Sequence, residues 1–229
     1  MGVTPFGRPD PAVVVGLVRA GALGILDLGT DREAASAAIV EVERWEQRPF
    51  GVRLGPGCPM GPDDLPTQVD VVLLHDPTVA AVTSQWGGRR VLIEVRSKAE
   101  ARAAVAAGAD GLVAKGSESG GRIGERSAFV LLQQLLAEPD VAGGVPVWVQ
   151  GGIGLHTAAA AVAGGATGVV LDAQLALVRE STLDDDVHAA VGAMDGSETV
   201  VLGDHRVYVR PDLPSASLDP DVAADEVAA

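Results

Sequence analysis

The chain has 229 residues, 47% of them hydrophobic and 21% charged, with Gly 29 and Pro 14; a globular fold of this size buries ~75% of the unfolded surface, and collagen-like or wholly disordered readings are excluded. Seventeen basic residues against 31 acidic ones leave a net charge of −14, and aromatics are only 3%, so neither nucleic acid nor an anionic membrane surface is an expected partner. Cys58 is the single cysteine, which excludes an internal disulfide or a zinc cluster; with no apolar run near ~20 residues and no secretory pattern in Met1–Pro5, the expected location is cytoplasmic.

From the N-terminus, short β-branched runs alternate with alanine-rich helical stretches. Strands are expected at Val3–Pro5, which is only a stub, and at Leu23–Leu28, Phe50–Leu54, Val71–Leu74, Val91–Val95, Gly111–Ala114, Val147–Gln150 and Gly168–Leu171. Several are continuously apolar, as strands covered on both faces are. Eight such units predict an α/β fold, a (β/α)8 TIM barrel with an incomplete first strand; a doubly wound sheet is the alternative. Thr30 with Glu33 is expected to open a helix reaching Trp45, and Ser97 with Glu100 one over Ala99–Ala107. A glycine-bearing repeat precedes three strands: Ala20-Gly21-Ala22, Ala107-Gly108-Ala109 and Gly164-Gly165-Ala166. Such glycines end helices and admit close backbone packing.

After Leu183 the pattern changes. Asp184-Asp185-Asp186 starts a helix through Met194, and Thr199–Leu202 with Arg206–Val209 flank Gly203-Asp204-His205 as a hairpin outside the barrel repeat. Residues 181–229 hold 11 acidic and 2 basic side chains, −9 of the total. The expected domains are therefore a barrel over 1–183, a helix and hairpin over 184–210, and a linker or disordered tail over 211–229, which implies a longer polypeptide.

In a β/α barrel the reactive face is built from the loops after the strands. One such loop, Lys115-Gly116-Ser117-Glu118-Ser119-Gly120-Gly121-Arg122-Ile123-Gly124, precedes a helix expected over Glu125–Ala137. Another, Gln150-Gly151-Gly152-Ile153-Gly154, leads into Leu155–Ala163. Glycines let backbone N–H groups approach a ligand, and a helix N-terminus adds partial positive charge, so Gly151 and Gly152 form a candidate phosphate cradle; the plainer reading is a turn between strand and helix. His75, after the fourth strand, is a candidate acid or base, or else a polar loop residue. Lys115 can meet an anionic group, while Glu94 is expected inside the barrel, paired with a cation such as Lys115. Glu118 and Ser119 are expected to be solvated. His156, His188 and His205 have no metal-ligand spacing, and Cys58 has no activating base.

The segments Ala107–Gly124, Val147–Gly154 and Gly165–Leu171 resemble nitronate monooxygenase (2-nitropropane dioxygenase) and its flavin-dependent enoyl-reductase relatives. With Val3-Thr4-Pro5-Phe6, Arg19-Ala20-Gly21, Leu26-Asp27-Leu28-Gly29 and Leu171–Leu177, the likeness is closer still to the nitronate-monooxygenase-like domain near the start of some actinobacterial type I polyketide synthases. The resemblance implies a TIM barrel with FMN at its C-terminal face, Lys115, Gly120, Gly121, Gln150, Gly151 and Gly152 around the cofactor, Arg122 or His75 near substrate, and as partners the other domains of a polyketide synthase and a carrier-bound acyl substrate.

Two departures stand out. The family commonly has histidine where this chain has Arg122, and arginine binds an anion but cannot abstract a proton. The family often has Gly-Thr where this chain has Asp172-Ala173, and a carboxylate repels phosphate, which argues against a complete phosphate site. Three readings follow: an FMN-dependent oxidoreductase domain, a catalytically degenerate barrel with a structural or docking role in a synthase, and a phosphate-ligand barrel of other chemistry.

Overall fold

The computed structural model describes residues 1–78 and 83–209; the tail read as a linker over 211–229 lies outside them. In chain order the elements are β1 (Gly2–Val3), α1 (Pro11–Arg19), β2 (Gly24–Asp27), α2 (Arg32–Trp45), β3 (Phe50–Leu54), β4 (Val69–Leu74), β5 (Arg90–Val95), α3 (Lys98–Ala106), β6 (Gly111–Lys115), β7 (Gly121–Arg122), α4 (Ala128–Leu136), α5 (Pro139–Ala142), β8 (Val147–Gln150), α6 (Leu155–Ala163), β9 (Gly168–Val170), α7 (Asp185–Gly192), β10 (Thr199–Leu202) and β11 (His205–Tyr208). Eight parallel strands run β1-β2-β3-β4-β5-β6-β8-β9. A bridge between Gly2 and Leu171 joins the two ends, with Val3 N donating to Leu171 O at 2.8 Å and Leu171 N to Met1 O at 3.0 Å. The ring is thus a (β/α)8 barrel.

The first strand is shorter than expected and starts one residue earlier, yet it closes the ring. Pro5 has no N–H to give a neighbouring strand and instead begins a 3-10 turn, Pro5–Gly7. The helix over 32–45 is capped by Asp31 rather than Thr30, the Asp31 carboxylate accepting from Glu33 N and Ala34 N. At α3 the Ser97 hydroxyl accepts from Glu100 N, but the Glu100 carboxylate reaches back to Arg96 N, one residue beyond the expected box.

Two apolar layers follow from the period-two alternation of each strand. Outward residues such as Leu26, Val52, Val72, Ile93, Leu112 and Val149 pack against the helices. Inward residues Val3, Ile25, Val71, Leu73, Leu92, Val113 and Val170 fill the barrel with Trp148 against them. Trp148 fits because glycines face it: a Cβ on Gly111 would stand 2.6 Å from its ring, and one on Gly168 3.1 Å.

The hairpin β10–β11 turns through Gly203-Asp204, with Leu202 opposite His205. Gly203 has φ +58 and Asp204 does not share a positive φ, as in a type II′ turn. The hairpin is not separate from the barrel. It pairs antiparallel with β7, in the loop after β6, with His205 opposite Arg122 and Arg206 opposite Gly121. No helix among the described residues is long and apolar enough to cross a membrane.

Candidate functional site

The inward-facing alternation continues past the apolar layer into polar residues at the strand ends. Two positions beyond Ile25, Gly51, Leu73, Leu92, Val113, Trp148 and Val170 come Asp27, Arg53, His75, Glu94, Lys115, Gln150 and Asp172. These residues floor the barrel's C-terminal mouth, and four of them form one ion-pair chain. Arg53 Nη1 lies 2.6 Å from Asp27 Oδ2, Arg53 Nε 2.7 Å from Glu94 Oε1, and Lys115 Nζ 3.5 Å from Glu94 Oε2. Asp27, Glu94 and Lys115 are buried. Burial pushes the Glu94 carboxyl up, but Arg53 and Lys115 more than reverse this and hold it well below the usual range. Burial lowers Lys115, and Glu94 offsets only part of that.

The residues expected around a cofactor do come together. Lys115 Nζ is 3.7 Å from where a Cβ on Gly121 would sit, and a Cβ on Gly151 would stand 2.6 Å from Ser119 Oγ. Gly121, Gly151 and Gly152 have φ of +69, +108 and +61, a region that favours glycine. Gly120 is open, with nothing within 4 Å of its would-be Cβ. Gln150 donates through Nε2 to Asp172 Oδ2 at 2.7 Å. Its Oε1 is buried without a hydrogen-bond partner among the described residues. Ser119 and Glu118 are not merely solvated: Ser119 is buried and donates to Gln150 O, and Glu118 Oε2 accepts from Ala128 N at the start of α4.

Arg122 reaches the loop that carries His75 by pairing with Asp76, the next residue, and not with His75 itself. His75 Nδ1 lies 3.0 Å from Leu54 O, so this nitrogen carries the proton, because a carbonyl only accepts. Burial pushes its pKa down and favours the neutral ring. Arg122 Nη1 is 3.0 Å from Asp76 Oδ2, and its Nε is 2.7 Å from Asp204 Oδ2 in the hairpin turn. Arg96 Nη2 reaches Asp76 from the other side at 3.3 Å. Although burial pushes Asp76 up, two hydrogen bonds from Thr78 and the charges of Arg96 and Arg122 hold its pKa at about 2.

Because the folded pKa lies below the unfolded carboxyl's ~3.9, this contribution is present above about pH 4 and lost as pH falls toward 2. Urea melts between pH 2 and 5 are expected to show a steeper acid loss of stability in the wild type than in Asp76→Asn; parallel curves would refute it.

Sequence reasoning missed Asp27, Arg53, Asp76 and Asp204 as parts of this site. The available signal was a charged residue next to the end of an apolar strand, as in Val52-Arg53-Leu54.

Residues 63–203 match the sequence profile of the family described as nitronate monooxygenase. The chain belongs to the nitronate monooxygenase family. Two curated relatives carry the name (3aS,4S,5R,7aS)-5-hydroxy-7a-methyl-1-oxo-octahydro-1H-indene-4-carboxyl-CoA dehydrogenase. The one from Rhodococcus jostii (strain RHA1) is 29% identical over 192 residues, and the one from Mycobacterium tuberculosis (strain ATCC 25618 / H37Rv) is 30% identical over 191. The alignments cover 77% and 76% of this nitronate monooxygenase-family chain but 51% of each relative, so the chain spans about half the length of the curated relatives it matches. Among solved structures, FabK from Thermotoga maritima is 30% identical with a TM-score of 0.76, covering 90% of this chain and 70% of that one. Nitroalkane oxidase from Streptomyces ansochromogenes is 23% identical with a TM-score of 0.73, covering 91% and 76%, and shares the fold.

The family implies FMN, and the mouth can be tested for it. The phosphate end needs free backbone N–H groups and no facing carboxylate. Here Ala173 N donates to Asp172 Oδ1 at 2.7 Å, Asp172 N to Gln174 Oε1 at 3.2 Å, and Gly154 N to Thr157 Oγ1 at 2.7 Å. Two carboxylates, Asp172 and Glu118, flank the glycine pair, with Glu118 Cβ 3.5 Å from the would-be Cβ of Gly152. The Asp172–Ala173 half of this cradle does not fit the phosphate of FMN, whereas the Gly151 and Gly152 amides have no hydrogen-bond partner among the described residues. Two shallow surface pockets lie elsewhere, one beside Pro11, Val15 and Trp45 and one beside Pro5, Arg8 and Thr182. Neither is lined by any member of the ion-pair chain.

Proposed function

We propose that this domain is a nitronate monooxygenase-family barrel that works without FMN, as a structural or docking domain of a multidomain polyketide synthase. The observation that carries the reading is Asp172. Where the family holds phosphate, its carboxylate occupies the Ala173 amide and the Gln150 side chain. The ion-pair chain agrees with it, since the charges at the mouth neutralise one another. The synthase context is supported by the sequence likeness at Val3–Phe6 and Leu171–Leu177. The Asp172 carboxylate weighs in the same way against a phosphate-ligand barrel of other chemistry.

The test is the visible absorbance of the purified chain before and after dialysis against excess FMN. The wild type is expected to be colourless under both conditions, and Asp172→Gly, which frees an amide and removes a charge, to gain measurable flavin. Flavin retained by the wild type would overturn the reading.

One observation favours a second reading, the FMN-dependent oxidoreductase acting on a small or carrier-bound acyl substrate. The buried, unpartnered Gln150 Oε1 beside Lys115 and the left-handed glycines Gly121, Gly151 and Gly152 is an acceptor that a ligand N–H would satisfy. In that case Arg122 binds an anionic group of the substrate, His75 serves as acid or base, and Gly152→Asp abolishes flavin binding.

A further inference from the structure

The hairpin touches loops on several sides of the mouth. On the β6 side, β11 pairs with β7, Ile123 N donates to Asp204 O at 2.7 Å, and Arg206 Nε donates to Ser117 O at 2.7 Å. On the β1 side, the ring of Tyr208 meets that of Phe6 edge-on, with centroids 6.2 Å apart and planes at 82°. Phe6 holds φ +60, the only non-glycine positive φ among the described residues, a strained conformation that persists only where surroundings hold it. On the β4 side, Arg122 links Asp204 to Asp76. The hairpin therefore crosses from β1 to β6, tied through one guanidinium to β4.

Apart from the Tyr208–Phe6 ring contact, what holds it is polar and half-exposed. None of the residues of α7, β10 or β11 is buried, whereas β4, β5 and β6 beneath are almost wholly so. Segments with few buried apolar contacts open at lower free energy than the core, and partly exposed ion pairs contribute little individually.

We propose that hairpin β10–β11 is a reversible strap across the barrel mouth, latched by Arg122 between Asp204 and Asp76. While the strap is closed, two nitrogens of the Arg122 guanidinium, Nε and Nη1, are taken by carboxylates of its own chain, and their charges offset its pull on any other anion. The inference stands whether or not the mouth takes flavin, because its test reads backbone exchange and not colour.

The experiment is amide hydrogen exchange on the full chain, followed in peptides covering 117–127, 199–209 and the barrel strand 111–115. Asp204→Asn and, separately, Arg122→Met are expected to speed exchange in 117–127 and 199–209 together, by about tenfold, with 111–115 unchanged. Raising the salt concentration is expected to act in the same direction on the wild type. Acceleration confined to 199–209 would mean a fraying hairpin that covers nothing, and acceleration in all three peptides a general loss of stability. Either result, or no change, overturns the proposal.

Discussion

Arg53→Met is expected to cost about 3–5 kcal/mol, read as a shift in the urea midpoint at constant slope. Arg53 is the only cation within ion-pair reach of Asp27 among the described residues and the nearer of two at Glu94, so its removal strands two buried carboxylates against a single lysine. Single-partner deletions of this kind are costly because the desolvation already incurred by the remaining charges is no longer offset. Removing the whole chain is different. In Asp27→Asn/Arg53→Met/Glu94→Leu/Lys115→Met no unpaired charge remains, and most of the loss is expected to return. If the quadruple variant is no more stable than Arg53→Met, the cost lies in packing and not in charge.

Gly116→Ala is the second large effect. A Cβ there would stand 2.3 Å from Ala128 N and 2.5 Å from Ala128 Cα, backbone atoms at the start of α4 that cannot swing aside as a side-chain tip can. The helix must move bodily, at about 1–3 kcal/mol or more. Glu118, which accepts from Ala128 N, loses its partner in the same displacement. The expected readout is a lowered Tm together with faster exchange at 117–127. Gly120→Ala, with nothing within 4 Å of its added methyl, is the control and is expected to change Tm little.

The strands were readable from the sequence because burial on both faces leaves nearly continuous apolar runs, and all eight barrel strands lie within two residues of their expected bounds. What local pattern could not show was any pairing whose partner is remote. The two-residue strand β7 exists only because β11, more than 80 residues later, lies beside it; alone, Gly121-Arg122 is a glycine-rich loop. The same limit applies to Asp204 and Arg122, whose contact requires the hairpin to fold back. Asp31 outcompeted Thr30 as a cap because its carboxylate reaches two amides, a choice between adjacent capping residues that spacing alone does not make. The Glu94–Lys115 pairing was legible, since a carboxylate inside a barrel needs a cation. Arg53 could have been found the same way, by extending the inward alternation one step past each apolar residue.

The ring shuts where residue 2 meets residue 171, through a single bridge. During synthesis this join cannot form until nearly the whole barrel has left the ribosome, because β9 emerges some 165 residues after β1. Until then the nascent sheet presents two open edges with unpaired N–H and C=O groups, one fixed at β1 and one advancing with each new strand. Contacts of such sequence separation form late and slowly. A chain stopped short of Leu171 would therefore leave the Gly2 edge of the sheet unpaired.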